Sequence, residues 1–79
     1  MKDLGAPTSY MVLTKGADVY DANGEKVGRV TEIRADRERD IFDGIVVDES
    51  PLLPGGRREI PADQVDEIYE RGVVLRAGA

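Results

Sequence analysis

The residue types that usually carry catalysis are absent from this chain or scattered along it. Its 79 residues include neither Cys nor His, which removes the thiolate nucleophile, the imidazole base and the usual ligands of zinc. The hydroxyl nucleophiles left are Ser9, Ser50 and the threonines, and none has a candidate base at a recognisable spacing. Pairs drawn from the 16 acidic residues have the chemistry for glycoside hydrolysis, but that reaction needs a cleft lined with sugar-binding groups. A small chain without Trp has little material for one. No residue is assigned a catalytic, metal-binding or cofactor-binding role, and the chain is expected not to be an enzyme.

Two short segments look like sites and read better as local structure. Asp21-Ala22-Asn23-Gly24-Glu25 has the oxygen-rich character of a calcium loop. An EF-hand loop needs a further oxygen ligand before its Gly, a distant bidentate Glu and flanking helices. Here Gly24 comes too early and the flanks read as strands. Asn23-Gly24 is instead a preferred centre for a tight hairpin turn whose two central residues take positive φ. Gly55-Gly56-Arg57-Arg58 resembles a phosphate cradle but lacks the Lys-Ser/Thr pair and the helix of a P-loop. It reads as a loop entering a strand. Arg37, Arg39, Arg57 and Arg58 would make a basic patch if they converged; the ordinary reading is four solvated arginines balancing nearby acids.

The elements that carry these residues are strands. Val and Ile together number 14 against 5 Leu, an inventory suited to sheets. Residues 1–9, with Gly5, Pro7, Thr8 and Ser9, are expected to be a flexible N-terminal segment, and residues 10–79 a single domain. Tyr10-Met11-Val12-Leu13 suits a short first strand, and a hairpin about Asn23-Gly24 follows. Val27, Val30 and Ile33 are spaced by three, which fits a helix face better than strict alternation. Gly28 within that run suits a bulge that resets the in-out parity, and the run is mostly β-branched, so a strand is favoured over a short amphipathic helix. The charged residues 36–40 connect it to the next strand. Pro61-Ala62-Asp63-Gln64-Val65 reads as one helical turn with Pro at its start. Glu70-Arg71-Gly72 reads as a bulged three-residue loop with Gly72 in the left-handed region. The fold class predicted is all-β, a small antiparallel β-barrel of five to six strands with one short helical turn.

Two apolar features stand out as candidate interaction surface. Ile45-Val46-Val47 is continuous, as in a strand covered on both sides by barrel closure or by a dimer partner. Leu52 and Leu53 are adjacent in a loop flanked by prolines; they either project toward a partner or fold over an open barrel end. A chain this short, without disulfide or metal, has a small core, and burying such surface against a second copy would add to it. A homodimer is therefore expected, together with an unidentified protein partner. The net charge of −5 opposes a phosphate backbone, so nucleic acid is not the expected partner. No apolar run approaches the ~20 residues that span a bilayer, and no hydrophobic signal core follows Met1. The expected location is the cytoplasm, with no membrane association.

The order of these pieces resembles the PRC-barrel family. The resemblance runs from about Lys15 to Arg76 and rests on three motifs: residues 16–30 (GADVYDANGEKVGRV), residues 42–48 (FDGIVVD) and residues 60–65 (IPADQV). It implies a small β-barrel of the kind found in the photosynthetic reaction-centre H subunit and in a ribosome maturation factor. Neither setting transfers intact, because the membrane helix of the one and the preceding domain of the other have no counterpart here. Members are typically interaction and assembly modules, which implies a non-enzymatic, self-associating role. An RNA- or ribosome-associated barrel is the alternative, with Tyr10, Tyr20, Phe42 and Tyr69 as its only stacking groups.

Overall fold

The computed structural model describes residues 3–49 and 56–78. Six strands follow one another: β1 (Asp18–Tyr20), β2 (Lys26–Asp36), β3 (Ile41–Asp48), β4 (Arg57–Pro61), β5 (Val65–Tyr69) and β6 (Gly72–Leu75). A 3-10 turn, Ala62–Gln64, the only helical element among the described residues, separates β4 from β5. The strands form one sheet in the order β4-β3-β2-β1-β6-β5, an open, barrel-like arrangement around one core. Among the described residues no helix is long and apolar enough to cross a membrane.

One pairing departs from the antiparallel expectation. β1 and β6 are parallel, with Asp18 opposite Gly72 and Val19 opposite Val73. The reason lies at Pro61, whose φ of −66° and missing N–H end the ladder. The 3-10 turn that follows bends the chain around a corner without reversing it. By the pairings, β4 and β5 run in the same sense, so β6 returns parallel to β1.

The spacing of Val27, Val30 and Ile33 is resolved by bulges. Val27 has no partner between the pairs Val19–Gly28 and Tyr20–Lys26. Thr31 is likewise skipped between Val30–Val47 and Glu32–Val46. Each extra residue inverts the in-out alternation, so all three apolar side chains reach the core although they lie three apart. The segment is an 11-residue strand, not a helix. A third bulge, at Asp43 of β3, brings Phe42 and Ile45 to the same side. Beside it Gly44 has φ +142°, and a Cβ there would lie 2.2 Å from the Ile60 carbonyl oxygen. Gly28 answers the same need, with a Cβ position 2.1 Å from the Asp48 carbonyl oxygen. Both glycines permit close approach of neighbouring backbones.

The turns are built differently from the sequence reading. Gly24 has φ +84°, but Asn23 does not share the positive φ of a two-residue primed turn. The loop is longer and is organised by Asp21, whose carboxylate accepts N–H bonds from Asn23 and Glu25, both at 2.9 Å. Gly72 is not in the left-handed region. It pairs with Tyr69 across the two-residue loop Glu70-Arg71, and a Cβ there would crowd the Leu4 side chain at 2.8 Å and the Asp18 carbonyl oxygen at 3.0 Å. Leu4 itself is buried. The N-terminal segment therefore lies against the barrel. Arg71 N–H donates to Leu4 C=O, Glu70 N–H to Ala6 C=O, and Thr8 N–H to Ile68 C=O. Residues 4–8 thus form a strap along the free edge of β5.

Candidate functional site

The described surface carries three exposed large apolar side chains, Met11 (46%), Val12 (56%) and Ile41 (45%). They flank one aromatic pair. Met11 and Val12 belong to a turn, not to the strand that the apolar run 10–13 suggested. Ser9 starts the turn: its Oγ accepts the Met11 N–H at 2.9 Å, and its carbonyl accepts the Val12 N–H at 3.1 Å. A turn of this kind points residues three apart the same way, so Tyr10 and Leu13 enter the core while Met11 and Val12 face outward.

Tyr10 ties this turn to the β2–β3 hairpin. Its ring stacks on Phe42 with centroids 5.3 Å apart and an interplanar angle of 16°. Its hydroxyl donates to Asp40 Oδ1 at 2.9 Å. Asp40 closes the hairpin loop in the left-handed region, φ +55°, a conformation that Asp tolerates better than most residues. Burial raises the phenol above its ordinary 10.0, and the Asp40 carboxylate adds to the shift by accepting the bond and by its negative charge. Ile41 lies between Asp40 and Phe42, so the exposed apolar groups all adjoin this latch in sequence.

The residues singled out from the sequence fall elsewhere. Ile45 and Val47 are wholly buried in the core. Val46 is on the opposite face by strand alternation, yet only 7% exposed. It sits between Glu32 of β2 and Glu59 of β4, and Glu59 in turn pairs with Arg34 at 2.7 Å. In the folded chain this segment is covered on both sides, as the barrel-closure alternative expects, and the exposed large apolar side chains among the described residues are at positions 11, 12 and 41. Leu52 and Leu53 lie outside the described residues. Asn23, Gly24, Gly28 and Gly72 are structural, as described above.

The four arginines do not converge. Arg37 and Arg39 occupy the loop at one end of β3, and Arg57 and Arg58 pair with its other end, roughly 20 Å away at the rise of a strand. Arg39 is held by Asp36 and Arg58 by Glu49. The Asp21 carboxylate that gave its loop a calcium-like appearance is spent on backbone N–H groups. Among the described residues no group of three or more Asp, Glu, His or Cys is placed to hold a metal. The clefts on the described surface are shallow: one lined by Lys26, Gly28, Arg29 and Asp48 measures about 190 Å³, and a wider, more open one beside Thr14, Lys15 and Arg71 about 360 Å³, at the low end of the ~300–1,000 Å³ usual for small-molecule sites. Asp18 engages its cations, 3.0 Å from Lys26 and 3.9 Å from Arg29.

The apolar turn escaped the sequence reading because four consecutive apolar residues satisfy a strand equally well. The signal that identifies it is Ser9 before the run, a residue that favours local side chain to backbone bonds over a ladder. No curated protein gives a significant match to the chain. Residues 14–79 match the PRC-barrel domain, and the three motifs fall on the β1–β2 hairpin, on β3, and on the end of β4 through the 3-10 turn to the first residue of β5. On this match the chain belongs to the PRC-barrel domain family.

Proposed function

We propose that this PRC-barrel domain is a non-enzymatic protein-interaction module that self-associates, binds a further protein partner and works in the cytoplasm. The observation that carries the reading is the surface at Met11, Val12 and Ile41. Exposed side chains of this size, each next in sequence to a member of the stacked Tyr10–Phe42 pair or one residue from it, fit a contact with another chain better than they fit water. They are mounted on a turn and a hairpin already braced by the Tyr10–Phe42 stack and the Tyr10–Asp40 bond, so the surface is organised before a partner arrives, which lowers the ordering cost of binding. The RNA-binding alternative has less support, because Tyr10 and Phe42 stack on each other and Tyr20 is buried.

The test is a pull-down from nuclease-treated lysate, comparing the natural chain with a variant carrying Met11→Asp and Val12→Asp. Both side chains are exposed, so the variant is expected to fold. Protein partners are expected to survive nuclease and to be lost with the double substitution. Capture that disappears with nuclease would favour the RNA reading, and capture indifferent to the substitutions would move the surface away from this turn.

A further inference from the structure

We infer that the edge of β5 is a strand-docking site that accepts the N-terminal strap of a second copy of this chain, so that self-association proceeds by reciprocal strap exchange. This rests on the interaction-module reading and adds the mode of contact. The occupant is identified by what already sits there. Backbone bonds to β5 and its turn recur at every second strap residue, at Leu4, Ala6 and Thr8, the spacing of a strand. Pro7 lies opposite Tyr69 in the position whose N–H points away from the ladder, where proline is admissible. Leu4 seats over Gly72, and the Ala6 N–H donates to Glu70 Oε1 at 2.8 Å. The complementarity between strap and edge is therefore built, and a second copy offers the same segment.

Two further features favour exchange. The exchanging segment is the strap together with the turn that carries Tyr10 and Leu13; it joins β1 through Thr14, Lys15 and Gly16, all exposed, with Gly16 at φ +90° and open space about its Cβ position, which suits a hinge. Met11 and Val12 lie two or three residues from that hinge. When the strap crosses to a neighbour, the two hinges and these apolar side chains meet at the seam between copies, and surface that the closed monomer leaves in water becomes covered. The strap contacts, the Tyr10–Phe42 stack, the Tyr10–Asp40 bond and the burial of Leu13 are the same in both arrangements. The balance is set by that added burial and by protein concentration against the effective concentration of a tethered segment, of the order of mM.

The chain has no Cys of its own, which permits a clean test. In an antiparallel pair, the bonds from Thr8 to Ile68 and from Glu70 to Ala6 make positions 7 and 69 a non-hydrogen-bonded pair, about 4.5 Å between Cα atoms. That distance is within disulfide range. Two full-length variants, Pro7→Cys and Tyr69→Cys, are mixed in equal amounts and oxidised at about 10 µM to about 1 mM, a range reaching the effective concentration of the tethered strap. Exchange is expected to yield disulfide-linked heterodimers, resolved by mass, that rise with concentration and exceed either homodimer several-fold. Random collision gives about two heterodimers for each kind of homodimer, so a heterodimer no more than about twice as abundant as either homodimer would overturn the inference.

The natural chain provides a second reading. In a mixture of isotope-labelled and unlabelled chains at the highest concentration, contacts between Leu4 methyls of one population and Gly72 of the other support exchange. Such contacts confined within one population overturn it. Absence of exchange with partner capture still sensitive to Met11→Asp and Val12→Asp would leave the interaction reading standing. Exchange with no such capture would remove the heterologous partner alone.

Discussion

At the scale of single residues, Tyr10 and the two crowded glycines make the sharpest predictions. The phenol is held protonated in the folded state above its ordinary 10.0, whereas in the unfolded chain it titrates near that value. As pH rises through and beyond 10.0 the unfolded state releases the proton first, so folding loses stability with increasing pH. Denaturation midpoints measured across the alkaline range are expected to fall more steeply for the natural chain than for Tyr10→Phe, which has no proton to lose. Parallel curves would show that the Asp40 bond does not couple to folding. Gly28→Ala places a methyl 2.1 Å from the Asp48 carbonyl oxygen. The strands must separate to admit it, and a loss of about 1–3 kcal/mol is expected by urea denaturation. Gly16→Ala meets no atom within 4 Å but remains at φ +90°; about 1 kcal/mol of backbone strain is the expected cost there.

At the scale of elements, the strap and the first hairpin are each governed by one side chain. Leu4 is the buried anchor of residues 4–8. Leu4→Ala removes apolar contact over Gly72 and is expected to cost about 2–4 kcal/mol of strap docking, at the lower end of full core truncations because the site is at an edge. The readout is hydrogen exchange. Amides of Thr8, Glu70 and Arg71, which bond across the strap edge, are expected to lose protection together, while β2 and β3 amides keep theirs. Loss spread evenly over the sheet would mean that strap and barrel unfold as one unit. Asp21→Ala removes the acceptor for two N–H groups and is expected to destabilise the β1–β2 hairpin by about 1–2 kcal/mol, with no dependence on calcium.

At the scale of the whole molecule, the open sheet wraps a small core that its N-terminal turn helps to fill, and apolar surface remains outside it. If copies associate through that surface, apparent stability depends on protein concentration by mass action. The melting temperature of the natural chain is expected to rise between about 10 µM and about 1 mM, and that of the Met11→Asp, Val12→Asp variant to stay constant. With a charge of −5 on each copy, added salt is expected to favour association by screening repulsion between like-charged chains. Sedimentation equilibrium over the same range checks both statements, and a monomer at every concentration and salt would remove self-association.

The β composition, the turn at Gly24, the bulge beside Gly28 and the single turn after Pro61 were all legible in the chain. Each is governed by backbone preferences of residues a few positions apart, which act before any long-range contact forms. The three-residue spacing in β2 was ambiguous locally, since one inserted residue and one helical turn shift side chains by similar amounts, and pairing with β1 and β3 decided it. Gly72 reads in the chain as a left-handed turn residue, whereas the crowding at its Cβ position comes from Leu4 and Asp18, far away in sequence. Likewise, Ile45-Val46-Val47 is apolar throughout whether its cover comes from another chain or from its own, and only packing distinguishes the two. Met11 and Val12 read as part of a short strand, and the contacts of Ser9, Phe42 and Asp40 fix instead the turn that exposes them. The chain by itself determined which segments extend and where they turn. Tertiary structure alone decided the parallel pairing of β1 with β6, the docking of the strap and the surface left over, because burial is a property of neighbours brought together by the fold and not of residue type.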